Sequence, residues 1–229
     1  MPAAQRATAT AVIVPPEGLP AEAAEQALQA RLLRDPRLER VLVPRSHLLP
    51  RVEALAGAIA RDCATLAELT LVVVLKGAVT FAADLGRALC VAGAPPLRTE
   101  FVRASTYGLG IKGAAEAERA VRIDLAPEHV EGRDVLLVED LVDQAFTLTH
   151  LQGYLRGTRG VRSLRTCVLA EKRLERPTPA VRRLRAALRP DYVGFQLPDR
   201  WIAGYGIDAG EHFRNLPCII TVHEEHFRP

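Results

Sequence analysis

The chain has 229 residues, 48% of them hydrophobic and 25% charged, enough for one α/β core and too few for two. Lys and Arg number 30 against 27 Asp and Glu, and the formal net charge of +3 lacks the clustering of a dedicated nucleic-acid binder while remaining compatible with a small anionic substrate. Cys63, Cys90, Cys167 and Cys218 show no CxxC spacing, no apolar stretch reaches spanning length, and no charged-then-apolar leader opens the chain; no disulfide frame or zinc site is implied, and a soluble cytoplasmic protein with reduced thiols and no membrane partner is expected.

Residues 1–38 are rich in Ala and Pro, with a short helix predicted over 21–33 behind Pro20 and no evident chemistry. They read as an N-terminal extension ahead of a single domain over 39–229. Residues 40–43 form a short strand, and Leu49, Val52, Leu55, Ala56 and Ile59 mark one face of a helix over 48–63. The run Leu69-Thr-Leu-Val-Val-Val-Leu75 is continuous and β-branched, as a parallel strand buried on both faces is, and Lys76-Gly77 leads into a helix over 79–89. By itself Leu75-Lys76-Gly77 is an ordinary turn with a surface lysine. A third strand is predicted over 97–103. Thr106-Tyr107-Gly108 then opens a polar, Gly- and Ala-rich stretch without period to about residue 120, of the kind that forms lids, before a returning strand over 121–125.

The densest chemistry follows. Residues 135–138 are short and apolar enough for a buried parallel strand, and Glu139 and Asp140 stand where that strand is expected to end, because charge is costly inside such a sheet. After Leu141-Val142 come a third acid, Asp143, the turn Gln144 to Thr147, and a helix marked by Leu148, Leu151 and Leu155. A loop feeding a helix N-terminus aims backbone N–H groups and the positive dipole end outward, which suits phosphate, while acids at a strand's carboxyl end suit hydroxyls or a metal-bound group. Together they point to a sugar phosphate. Residues 163–170 make a further strand, ending in Glu171-Lys172-Arg173. The arginines 176, 182, 183, 185 and 189, with Leu184 and Leu188, predict a basic amphipathic surface helix, an RNA or protein contact being the weaker alternative. The sole tryptophan, Trp201, lies between Asp199-Arg200 and Gly204, surroundings that do not favour complete burial.

Val138-Glu139-Asp140-Leu141-Val142-Asp143-x-x-x-Thr147 closely resembles the phosphoribosyl pyrophosphate motif of the type I phosphoribosyltransferases, specifically the hypoxanthine-guanine enzymes. Residues 191–208 are similar to that family over nearly their whole length, and the resemblance runs from about residue 41 to 224. It implies that Glu139 and Asp140 hold the ribose hydroxyls and, with Asp208, serve Mg²⁺. It implies further that Asp143, Gln144, Ala145, Phe146 and Thr147 cradle the 5′-phosphate, with Asp143 the general acid–base toward N7 of the purine. The family usually carries Thr or Ser and then Gly where this chain has Gln144 and Ala145, a departure expected to weaken phosphate binding. Leu75, Lys76 and Gly77 resemble the pyrophosphate loop, whose peptide before the lysine is often cis, and Arg214 the arginine that meets pyrophosphate. Thr106 and Tyr107 match the root of a loop that closes over the site. Lys172 falls where the family hydrogen-bonds the exocyclic oxygen of a 6-oxopurine, Trp201 where it stacks on the base, and Ile202 where backbone meets the base edge.

The implied fold is an α/β, doubly wound parallel sheet with a small C-terminal hood, about residues 172–229, over the carboxyl ends of the strands. The implied activity is purine salvage: hypoxanthine or guanine with phosphoribosyl pyrophosphate to IMP or GMP, at reduced activity, in a homodimer or homotetramer. Two alternatives stay open on the altered loop and the arginine-rich insert: a nucleotide- or RNA-binding regulator, and a catalytically impaired paralogue.

Overall fold

The structure is a computed structural model that describes residues 10–107 and 120–227. In chain order the elements are β1 (Val12–Ile13), α1 (Ala23–Leu32), β2 (Leu38–Val43), α2 (Arg45–Asp62), β3 (Leu69–Val74), α3 (Ala78–Val91), β4 (Leu97–Tyr107) and β5 (Ala120–Leu125). They continue with β6 (Asp134–Val142), α4 (Phe146–Gly153), a π turn (Tyr154–Thr158), β7 (Ser163–Arg173), α5 (Pro179–Ala187), β8 (Tyr192–Pro198), β9 (Ile202–Ala203) and β10 (Ile219–Val222). Every residue of β3 is buried, as its unbroken apolar run requires. On α2 the buried stripe is Leu48, Val52, Leu55, Ala56 and Ile59, with Leu48 rather than its neighbour Leu49 turned to the core.

Seven strands form the main sheet in the order β1-β8-β7-β6-β3-β4-β5, parallel except where β5 returns along β4. From β3 the chain crosses through α3 to β4 on one side, and from β6 through α4 to β7 on the other. Right-handed crossovers running in opposite directions put α3 and α4 on opposite faces, and they make the adjacent strands β3 and β6 the point where the winding reverses. The loops leaving these two strands therefore diverge, and a crevice opens between them.

Two expectations about boundaries change. The strand β6 does not stop at its acids: pairing with β7 runs on to Val142 opposite Glu171, and Glu139 stays 6% exposed. A carboxyl can remain there because burial favours its protonated form over the ion. The hood differs as well. Much of residues 172–198 belongs to the main sheet, because β7 continues past Lys172 and pairs with β8 as far as Arg173 opposite Pro198. The small sheet is β2-β10-β9, so its third strand comes from the other end of the domain, and Leu38, Val41, Ala203, Leu216, Ile220 and Val222 form its own apolar cluster.

The segment read as an extension also takes part in the fold. Val12 and Ile13 pair in parallel with Phe195 and Gln196, Val14 is fully buried, and the Arg173 guanidinium donates to the Val14 carbonyl at 2.7 Å. Cys63, Cys167 and Cys218 are buried free thiols and Cys90 is an exposed one. Among the described residues no helix is long and apolar enough to cross a membrane.

Candidate active site

The crevice between β3 and β6 holds a cavity of about 370 Å³, whose lining includes Leu75, Lys76, Gly77, Glu139, Asp140, Thr147, Asp208 and Arg214. Residues from three distant stretches thus meet in one place. The Leu75–Lys76 peptide is cis. The 204–206 turn sits on this loop, so tightly that a Cβ on Gly206 would lie 2.1 Å from the Gly77 carbonyl oxygen.

Glu139 and Asp140 both titrate above the usual carboxylate range. Burial is the main cause for each, and for Glu139 the neighbouring Asp140 carboxylate adds to it; Arg214 acts on Asp140 in the opposite direction. The Leu141 N–H donates to Asp140 Oδ1 at 2.8 Å and holds that carboxyl at the mouth of the strand. Two adjacent acids that resist ionisation favour hydroxyl groups or a cation beside them.

The rim carries cations and their partners. Lys76 Nζ lies 2.7 Å from Glu211 Oε2, and Arg214 reaches Asp208 Oδ1 at 2.7 Å and Glu211 Oε1 at 3.1 Å. Glu211, held below its ordinary pKa by its hydrogen bond to Lys76 and by Arg214, was not foreseen from the sequence, nor were Arg103 and Ser105, which also line the cavity. The spacing Asp208-x-x-Glu211-x-x-Arg214 was the available signal for Glu211. Nothing local marks Arg103 or Ser105, which reach the site because β4 lies beside β3.

Helix α4 starts at Phe146 with Ala145 as its N-cap, and no side chain caps it. The N–H groups of its first turn are thus left for an external acceptor. Ala145 has φ +73°, a left-handed conformation, which gives a second reason for the family's glycine besides close approach to phosphate. Of the loop, Thr147 lines the cavity.

Strand β7 runs past residue 170, where it was expected to end, and takes in Lys172. Lys172 lies inside β7, not at a solvated end, is 4% exposed, and places Nζ 3.1 Å from Asp143 Oδ2. The two side chains form a donor and an acceptor side by side. Trp201 is half-buried against the small sheet's cluster and lines a separate polar cavity of about 320 Å³ with Glu39, Asp199, Arg200 and His223. Ile202 pairs with Thr221 in β9, the edge strand of its sheet, and is buried. Thr106 and Tyr107 end β4, opposite Val121 and Ala120, while the rest of the expected lid, 108–119, lies outside the described residues.

The family model described as the phosphoribosyl transferase domain matches residues 45–209. The hypoxanthine-guanine phosphoribosyltransferase of Aquifex aeolicus is 32% identical over 185 residues, spanning 81% of this chain and 95% of that protein. That of Mycobacterium bovis is 36% identical over 192 residues, 81% of this chain and 86% of its own. A crystal structure of a Bacillus anthracis hypoxanthine-guanine phosphoribosyltransferase superposes with a TM-score of 0.66 at 33% identity, covering 81% of this chain and 99% of the other. By sequence and by fold, this chain belongs to the phosphoribosyl transferase domain family and, within it, to the hypoxanthine-guanine phosphoribosyltransferases.

Proposed function

We propose that the chain transfers ribose 5-phosphate from phosphoribosyl pyrophosphate to hypoxanthine or guanine, releasing pyrophosphate and giving IMP or GMP. The contact between Lys172 and Asp143 carries this reading. A 6-oxopurine presents an oxygen acceptor and, next to it, N7; a buried ammonium beside a carboxylate complements an O6 acceptor and a protonated N7, and adenine offers the ammonium only an amino group. As the ring nitrogen bonds to C1′, the C1′–oxygen bond to pyrophosphate breaks and the N7 proton passes to the Asp143 carboxylate. Lys76 and Arg214 meet the charge that builds on the departing pyrophosphate. Glu139 and Asp140 accept from the ribose hydroxyls, the loop 143–147 takes the 5′-phosphate at the α4 N-terminus, Trp201 stacks on the base, and Thr106-Tyr107 roots the closing segment.

Among the described residues there is no group of three or more side chains able to enclose a metal. The acids Glu139, Asp140 and Asp208 around one cavity instead fit Mg²⁺, which keeps its waters and takes one or two carboxylates together with substrate phosphates. Bound there, the ion would neutralise charge on the leaving pyrophosphate. We place the protein in the cytoplasm. Homodimer or homotetramer formation has support in an apolar groove of about 490 Å³ between α3 and β4, where Val79 and Phe101 are each 42% exposed. Residues 39–229 are read as the catalytic unit.

The test is direct: incubate the protein with hypoxanthine or guanine, phosphoribosyl pyrophosphate and Mg²⁺ and measure IMP or GMP. Product formation is expected. Binding of IMP and GMP without any turnover would turn the reading to a regulator on the same fold.

A further inference from the structure

The arginine-rich helix α5 is not a uniformly solvated surface. Thr178 caps its start by accepting from the Val181 N–H, Val181 and Leu188 are buried, and α5 packs against α4. That seating fixes the next turn. Arg182 and Arg183 face outward, while Arg185 is turned in, its side chain 18% exposed.

The guanidinium of Arg185 lies where the pairing of β6 with β7 runs out, at Val142 opposite Glu171. One terminal nitrogen donates to the carbonyls of Val142 at 3.1 Å and Asp143 at 3.2 Å. The other donates to the Lys172 carbonyl at 2.7 Å and pairs with the Glu171 carboxylate at 3.0 Å. Beyond the last ladder pair, one planar group therefore ties the backbones of Asp143 and Lys172 together. Only a rigid fork with two separated nitrogens spans both strand ends; a lysine ammonium is a single point on a flexible stem.

We propose that Arg185 is a positioning residue of the base subsite: through Asp143 and Lys172 it sets the spacing of acceptor and donor, and so the affinity for the 6-oxopurine ring, while the pyrophosphate end of the site is independent of it. The proposal rests on the function given above. Its consequence is a split between the base and the pyrophosphate end of the site. Relaxing the pair by a fraction of an ångström weakens a fixed two-point contact, whereas Lys76, Gly77, Asp208 and Arg214 belong to other segments and keep their places.

Arg185→Lys and Arg185→Gln test this, with Arg182→Ala and Arg183→Ala as controls on the outer face. Arg185→Gln is expected to raise KM for hypoxanthine or guanine about tenfold, KM for phosphoribosyl pyrophosphate by less, since only its 5′-phosphate meets the loop that opens at Asp143, and inhibition by pyrophosphate not at all; Arg185→Lys is expected not to restore the base KM, and the two controls should match wild type. Circular dichroism checks that each variant folds, and if Arg185→Gln does not, Arg185→Lys alone decides. An unchanged base KM, equal rises for both substrates, or full recovery with lysine overturns the proposal. If the wild type makes no nucleotide, the assigned reaction fails, and Arg185 is then judged by titration with IMP and with pyrophosphate. Weaker IMP binding at constant pyrophosphate affinity supports positioning; equal losses defeat it.

Discussion

The carboxylate of Asp140 lies against Gly77: a Cβ placed on Gly77 would stand 1.8 Å from Asp140 Oδ2 and 2.6 Å from its Cγ. Gly77 has an ordinary helical backbone, φ −63°. Glycine is required there by space and not by conformation, and the requirement locks the loop after β3 to Asp140 of β6.

Gly77→Ala should therefore act on the phosphoribosyl pyrophosphate side of the site. The methyl must displace either the Asp140 carboxyl or the loop carrying Lys76, and an ångström of misplacement costs on the order of a hundredfold in rate. We expect kcat/KM for phosphoribosyl pyrophosphate to fall by about that factor, with IMP binding changed less. Steady-state kinetics varying each substrate in turn would refute this if both specificity constants were unaffected.

Ala145→Gly removes a left-handed alanine, and three effects oppose one another. Relief of the backbone conformation is worth about 1–2 kcal/mol. Against it stand the loss of a buried methyl, about 0.8 kcal/mol, and the greater freedom of glycine in the unfolded chain, about 0.4–1 kcal/mol. Ala145 is 5% exposed, so the methyl counts nearly in full. Stability should hold within about 1 kcal/mol in a denaturant melt. Substrate binding is where Gln144→Thr with Ala145→Gly should show itself, tightening phosphoribosyl pyrophosphate by roughly 10–100-fold and leaving the purine preference alone. Unchanged binding would mean that this loop does not hold the phosphate.

Glu139→Gln should stabilise the ligand-free protein in a pH-dependent way. The folded pKa of Glu139 is raised, so the folded state holds a proton that the unfolded chain gives up near the ordinary value of 4.5. Wild-type stability consequently falls as pH rises from that value through the raised one. Glutamine does not titrate, and its advantage should be absent in acid and grow toward neutral pH, while turnover drops. Urea melts of both proteins at pH 4 and pH 8 measure it; an advantage independent of pH would contradict the assigned cause.

Asp143→Asn keeps the shape and removes the base. Turnover should fall by about 10²–10⁴-fold with nucleotide binding largely retained. A helix-capping role for Asp143, which asparagine would preserve, is removed by the structure, since the N-cap of α4 is Ala145. Lys172→Ala should weaken 6-oxopurine nucleotides without admitting adenine, because no new acceptor or donor is created for its amino group. Rates on hypoxanthine, guanine and adenine for both variants decide the matter.

Most strands and helices were legible from the sequence because their signals are local. The run 69–75 can only be a strand buried on both faces, and the leucine stripes of α2 and α4 are spacings within one segment. The acidic motif and the stretch around Trp201 likewise carry their chemistry within a few residues, and they led to the family. Tertiary structure alone decided what those residues touch. Lys172 reads as a strand-end lysine until β7 continues past it and places Asp143, 29 positions earlier, at its ammonium. Arg185 reads as one more surface arginine until α5 docks and turns it onto a carbonyl 42 positions back. The β-branched run at Val12-Ile13-Val14 does not state that β8 is its partner, and β2 joins the small sheet only through β10, at the far end of the chain. Sequence periodicity states which face of an element is apolar; it is silent on which distant backbone will supply the partner, and here that partner sets the burial of Glu139 and the pairing of Asp143 with Lys172.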